Sequence, residues 1–433
     1  MTPVRKRYFK KLILRGGRII FPSVKIVSNP DIYIESGIIK KIGSTCLEEA
    51  EVITLGKDKY ISPGFIDMHC HLREPGNTKS ETIKTGTLAA IAGGFTKVCC
   101  MPNTNPPLDN PKIVKHLLNK AEQAENAEVA IIGCATKARA GKEVADIDKM
   151  VRVGIIAVSD DGSPISDALL MQKILIDCQK FNIPVINHCE VLSLSKFGMM
   201  NEGKISRKLG LKGIPDVSES IMVLRDIILA ECTNSRVHIA HVSTKKSVDL
   251  IRWAKQKEIK VTAETCPHYF TLTDNDCARL NTNYKVSPPL KTKTDTEAIK
   301  EGLADGTIDV IATDHAPWHI SGKQVKWERA KLGMIGFETA FSLGYEELVL
   351  KKYLSLEKYI ACLTTGPAQA LNLENSGKIE EGVPAQITIF DLNKCWVLSK
   401  DNIISKSKNS PFIGGKLKGK VEAVILKDKI FLP

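Results

Sequence analysis

The chain has 433 residues, 43% of them hydrophobic and 25% charged, the balance of a soluble globular protein with a sizeable core. That excludes a disordered chain, a collagen-like chain and a coiled coil; no apolar run approaches the roughly 18 residues that a membrane helix needs. The basic start, MTPVRKRYFKKLILRGG, has too short an apolar stretch for a secretory signal, so the expected location is the cytoplasm. The net charge of +12 comes from residues spread along the chain, with a modest Lys-rich stretch at Lys400–Lys420. They do not alternate with aromatics and match no nucleic-acid module, so the expectation is a solvated surface that helps attract an acidic substrate.

In chain order, LILRGGRII, KIVSN, DIYIESGIIKKIG and EVITLG read as short strands with Gly at the corners, and AQITIFD, CWVLS and KVEAVILKDKIFLP have the same texture. The two ends are expected to meet in a small β-sandwich-like domain, residues 1–61 with 378–433. Between them, in residues 62–377, eight short apolar runs recur: GFIDMHCH, FTKVCCMPN, VAIIGCAT, GIIAVSDD, IPVINHCE, RVHIAHVS, KVTAETCPH and DVIATDHAP. They carry no periodic polar face, which is how parallel strands buried on both sides read. Amphipathic stretches such as Ser80–Ala92, Pro111–Glu125, Asp167–Lys180, Glu219–Glu231 and Ser247–Lys257 separate them. Eight strand–helix repeats in about 300 residues fit a (β/α)8 TIM-type barrel better than a doubly wound sheet. The 12 cysteines are scattered, form no CxxC pair and partly sit inside the apolar runs, so reduced thiols are expected.

What ends each run is informative. The ends carry His69 and His71, then Asp161, His188, His241 and Asp314. In a closed barrel these strand ends converge on one mouth. A lone histidine at a strand end is ordinarily a hydrogen-bonded core residue, and a lone aspartate there is often a helix cap. Here five separate strand ends would all have to be decoys. Imidazole and carboxylate suit Zn2+, and six ligands favour two ions over one. His69 and His71, two apart on an extended strand, grip one ion; His188 and His241 grip a second; Asp161 bridges them. Asp314 is placed to ligate the first ion and move a proton. The remaining histidines, His116, His238, His268, His315 and His319, are read as structural or supporting.

PGFIDMHCHLREPG at Pro63–Gly76 and GGFTKVCCMPNTNP at Gly93–Pro106 resemble the dihydroorotase family of the amidohydrolase superfamily. The resemblance continues in order through SDDGSP, NHCE, NEGKIS, LGLKGIP, HVSTKKSV, VTAETCPHY, DGTIDVIATDHAP, IGFETA and SKSKNSPFIGG. It implies the reversible cyclisation of N-carbamoyl-L-aspartate to dihydroorotate in pyrimidine biosynthesis. It also implies that His69, His71, Asp161, His188, His241 and Asp314 hold the metal, and that Arg73 and Asn103 hold the substrate's α-carboxylate. Hydantoinases and allantoinases, the rival enzymes, bridge their metals with a carboxylated lysine on strand four; GIIAVSDD has none. As partners the resemblance implies a second copy of the chain or aspartate carbamoyltransferase. Members that only scaffold the transferase tend to lose metal ligands, and all six positions are kept here.

Three departures fall on the side of the pocket that reads the pyrimidine ring. KVSPPLK puts Ser287 where the family has a substrate-contacting asparagine. The histidine expected after TDHAP is Trp318, with His319 next along. The closing loop reads Ala330-Lys331-Leu332-Gly333. The segment His315–Gly336 around it reads either as a lid over the mouth or as an ordinary long loop.

Overall fold

The computed structural model describes residues 4–21, 25–28, 30–44 and 49–433. Asn29, at the end of KIVSN, and Cys46 lie outside the described residues. All eight apolar runs are strands of one parallel sheet. Numbering only these, they are β1 (Phe65–Cys70), β2 (Phe95–Cys100), β3 (Glu128–Cys134), β4 (Ile155–Ser159), β5 (Val185–Asn187), β6 (Val237–Ile239), β7 (Val261–Thr265) and β8 (Val310–Ile311), paired in that order. Every residue of β1 is buried, as a strand covered on both faces requires. Met68, Cys99, Ile132, Ala157, Ile186, Ala240 and Val310, each from a different strand segment, pack together. Only a barrel interior brings such residues into contact.

The seam between β8 and β1 is closed by a single backbone bridge and by side-chain hydrogen bonds rather than by a full ladder. Cys70 bridges to His315, and His71 N donates to His315 O at 2.9 Å. Asp67, fully buried, accepts from Thr313 N at 2.8 Å and Thr313 Oγ1 at 2.6 Å. Burial pushes the Asp67 carboxyl up to about 7 in spite of these donors.

Helices fill the connections where their caps begin. Asn110 accepts from Ile113 N ahead of Pro111, Asp167 from Leu170 N, and Thr244 from Ser247 N. Among the described residues no helix is long and apolar enough to cross a membrane.

The chain ends do meet. Nine strands from residues 5–63 and 386–432 form one sheet, with Gln386–Val397 antiparallel to both Glu51–Pro63 and Lys416–Leu426. Alternation gives this sheet two apolar faces. Ile387, Ile389, Ala423 and Ile425 join Leu12, Leu14 and Ile34 in a core of its own. Phe390, Val424 and Leu426 belong instead to the layer around the barrel. Phe390 stands 4.6 Å from Phe341, 6.3 Å from Phe65 and 5.8 Å from Tyr60, ring centre to ring centre.

Removing the Phe390 ring opens a cavity in the joint between sheet and barrel. Phe390→Ala is expected to cost about 3–5 kcal/mol in chemical denaturation. A loss below about 1 kcal/mol would show that the joint does not depend on this ring.

Candidate metal centre

The strand ends converge as the barrel requires. His69 lies in β1 and His71 just beyond it; Asp161 follows β4, His188 follows β5, His241 follows β6 and Asp314 follows β8. All six are buried. Two groups suited to a cation share one member: His69, His71 and Asp161, and Asp161, His188 and His241, each with ligand atoms within 4.8 Å of one another. Asp161 Oδ1 lies 3.4 Å from His69 Nε2 and 3.7 Å from both His188 Nδ1 and His241 Nε2, while Oδ2 is 3.7 Å from His71 Nε2. Asp314 Oδ1 is 3.0 Å from His71 Nε2 and 3.7 Å from His69 Nε2.

The donor set fits metal ions. His69 Nε2 is buried and has no hydrogen-bond partner. His188 Nδ1 and His241 Nε2 face each other at 2.8 Å, two ring nitrogens aimed at one space. Burial works against charge on Asp161, yet the His69 imidazole and its neighbours hold its carboxyl well below the usual carboxylate range. Asp314 is buried as well, and its hydrogen bond from His71 lowers its carboxyl from the usual value. Nitrogen and oxygen donors in two overlapping sets suit metal ions.

Three residues here adopt left-handed backbone: Arg73 at φ 59°, His241 at φ 35° and Asp314 at φ 44°. Each costs free energy that the surrounding packing must supply, and such positions concentrate at functional sites.

A cavity of about 390 Å3 opens over the centre, lined by His71, Arg73, Asn103, Asp161, Ser287, Asp314 and Trp318 among others. Burial draws Arg73 down to about 10, so it remains a cation at neutral pH. Asn103, expected to hold substrate, touches the ligands themselves: its Oδ1 lies 2.9 Å from His71 Nδ1, and its Nδ2 donates to Asp161 Oδ2 at 3.0 Å. His319 turns away from the cavity, exposed, with Nδ1 2.8 Å from Ser321 Oγ. The His315–Gly336 segment is fastened down. Lys323, 4% exposed, donates to the carbonyls of Thr282 at 2.8 Å, Lys285 at 3.3 Å and Lys331 at 2.7 Å.

Supporting residues escaped the sequence reading. Glu264, within β7 and fully buried, accepts from His69 Nδ1 at 2.6 Å and lies 3.3 Å from His238 Nε2. Glu190 Oε2 is 3.1 Å from His188 Nε2 and, despite burial, is held down at about 2 by that imidazole. Arg139 donates to the carbonyl of Asp161 and, at 3.0 Å, to Ser163 Oγ. The signal for Glu264 was present: an acid inside an apolar run needs a buried partner.

The amidohydrolase family model matches residues 60–431. The chain belongs to the amidohydrolase family. Among curated relatives, it is 51% identical over 90% of its length to a dihydroorotase of Endomicrobium trichonymphae, covering 92% of that protein. It is 46% identical over 97% of its length to a dihydroorotase of Acetivibrio thermocellus, covering all of that chain (100%). Among solved structures, L-hydantoinase from Arthrobacter aurescens superposes with a TM-score of 0.88 at 22% identity, covering 98% of this chain and 96% of that one. At that identity the likeness speaks for the fold. The family is metal-dependent, and the two ligand groups here suit that chemistry.

Glu264 fixes which nitrogen His69 turns to the cavity. Glu264→Gln is expected to weaken metal binding about 10–100-fold with the fold retained, measured by competition with a chromophoric chelator. Unchanged affinity would remove Glu264 from the centre.

Proposed function

We propose that this chain acts as a dihydroorotase, interconverting N-carbamoyl-L-aspartate and dihydroorotate, with two zinc ions held by His69, His71, Asp161, His188, His241 and Asp314. The observation that carries the reading is one cavity that combines two ligand groups sharing Asp161 with a half-buried guanidinium, Arg73, that has no carboxylate partner among the described residues. Relatives at 44–51% identity over most of the chain support the substrate assignment. β4 reads Ile-Ile-Ala-Val-Ser and offers no lysine to bridge two ions, so the bridge falls to Asp161. That favours this reaction over the hydantoinase- and allantoinase-like alternatives.

When bound, the ions supply Lewis acidity and lower the pKa of a water toward neutrality. The chain's residues supply position and proton transfer. Arg73 presents a planar fork to the carboxylate carried by either substrate, worth more than a point charge at that position. Asn103 ties His71 to Asp161 and keeps the ligands in register. Asp314, ionised at neutral pH, is the proton carrier. In hydrolysis a water oxygen bonds to the ring amide carbon, Asp314 takes the water's proton, and the proton passes to the ring nitrogen as the carbon–nitrogen bond breaks. In synthesis the ureido nitrogen bonds to the side-chain carboxyl carbon and gives its proton to Asp314. One carboxyl oxygen then leaves as water, completed by that proton and one from solvent. The cavity's depth keeps bulk water from competing for the same proton.

The test is turnover of both substrates by zinc-loaded protein, beside a panel containing hydantoin and allantoin. Chelation is expected to abolish turnover, and zinc to restore it. Asp314→Asn is expected to fold and to lower kcat about 10²–10⁴-fold. Arg73→Met is expected to raise KM by at least about tenfold, the effect of losing one charged hydrogen-bonding partner. Turnover of hydantoin or allantoin in preference to dihydroorotate would overturn the substrate assignment, and near-normal kcat in Asp314→Asn would overturn the proton carrier.

A further inference from the structure

Resting on the reading above, we propose that Trp318 is a positioning residue: its indole face, and not a hydrogen bond from it, orients the Arg73 guanidinium toward the substrate carboxylate. The Arg73 Cζ lies 4.4 Å from the centre of the Trp318 ring. Its Nε donates to Pro317 O at 3.1 Å, one residue away in the chain. A cation–π contact over the ring face and a hydrogen bond along one edge together restrain the guanidinium. Both terminal nitrogens are left without a protein partner among the described residues. A half-buried cation whose free edge lines the cavity is built to receive a planar anion with two oxygens.

Trp318 has no polar group to offer substrate. Its only side-chain donor, Nε1, is spent on Leu332 O at 2.6 Å. Its backbone N donates to Asn409 Oδ1 at 3.0 Å, and Asn409 Nδ2 in turn donates to Ala316 O and Gly333 O, each at 3.1 Å. The indole is therefore fixed from both sides of its loop. Its half-buried ring lines the cavity as a surface rather than as a donor. The guanidinium is planar and weakly hydrated, and it stacks on aromatic faces with a strength that rises on desolvation. Arg73 itself sits at φ 59°, so its side chain leaves the backbone at an angle that the stack must hold. Loss of the ring frees the guanidinium to turn, and the cost falls on binding of the carboxylate, which is remote from the reacting carbonyl. Binding lost equally from ground state and transition state raises KM and leaves kcat in place.

The experiment compares Trp318→Leu, Trp318→Phe, Arg73→Met and the double variant Arg73→Met/Trp318→Leu with the unaltered protein. The readings are steady-state kinetics on dihydroorotate, calorimetric binding of orotate, and zinc content. Trp318→Leu is expected to raise KM and weaken orotate binding about tenfold with kcat within twofold and zinc content unchanged. Trp318→Phe, which keeps an aromatic face and has no donor, is expected to recover most of the loss. In the Arg73→Met background the same change is expected to do nothing further, since the residue acts only through Arg73. An unchanged KM in Trp318→Leu, an equal loss with or without Arg73, or no rescue by Phe would each overturn the proposal while leaving the reaction assignment standing. An unaltered protein that neither turns over dihydroorotate nor binds orotate would overturn the assignment, and this proposal with it.

Discussion

A carboxylate buried to 4% exposure and ringed by four imidazoles is the constraint from which the rest of this molecule follows. Asp161 accepts one hydrogen bond from Asn103, and the imidazole nitrogens around it converge on the same space. Charges taken out of water cost several kcal/mol each unless they are matched. Histidine protonation matches them only partly, because His188 and His241 face each other too closely for both ring nitrogens to carry a proton. Divalent cations match them fully. The arrangement at this barrel mouth suits divalent cations, quite apart from any reaction.

Holding six ligands in register is the task of the elements beneath. Asp67 closes the barrel at Thr313, one residue before Asp314, and accepts from His69 N at 3.3 Å. One carboxylate thereby couples the strand that leads to His69 and His71 to the strand end that leads to Asp314. Asp160, beside Asp161, accepts from Ala135 N and Thr136 N at 3.0 and 3.1 Å, which pins the bridging residue to the neighbouring strand end. The Lys-rich segment near residue 400 takes part as well. Ser407 Oγ donates to Ser80 O at 2.6 Å, and Asn409 ties down the loop after Asp314. Charge that reads in sequence as a solvated surface here flanks a strap across the barrel mouth, with Lys408 donating to the carbonyls of Ile403 and Ser405 at 2.6 and 2.7 Å.

Much of this was legible in the residues and some was not, for physical reasons. Apolar runs without a polar face announce strands covered on both sides, and a polar residue at the end of such a run announces a mouth. That logic finds His69 through Asp314 because the ligands interrupt an apolar pattern. It passes over Asp67 and Glu264, which stand within the pattern and are partnered from strands distant in sequence. The strand Glu51–Pro63 runs past EVITLG because Lys59 pairs with Asp391 and Glu422 across the sheet, and charges paired across strands look like a loop in one dimension. His319 also offers substrate-binding chemistry beside Trp318 in sequence, but in the structure the turn at Ile320–Gly322 uses its ring as a cap.

The departures from the family pattern also acquire a physical sense. A donor aimed at a substrate must be placed to within a few tenths of an ångström, and a mistake leaves a buried polar group unpaired. A flat apolar face tolerates small displacements, because dispersion and cation–π attraction vary slowly with sliding. With Trp318 as the wall and its own N–H committed to Leu332, the proposed reaction leaves recognition of the carboxylate to one well-braced guanidinium. Ser287 on the facing wall is small enough to leave the ring room while still offering a hydroxyl. In the proposed reaction selectivity then rests on the orientation of Arg73 more than on the number of donors around the ring. The metal-suited donor groups are kept in that arrangement, and the departures fall on the opposite side of the cavity.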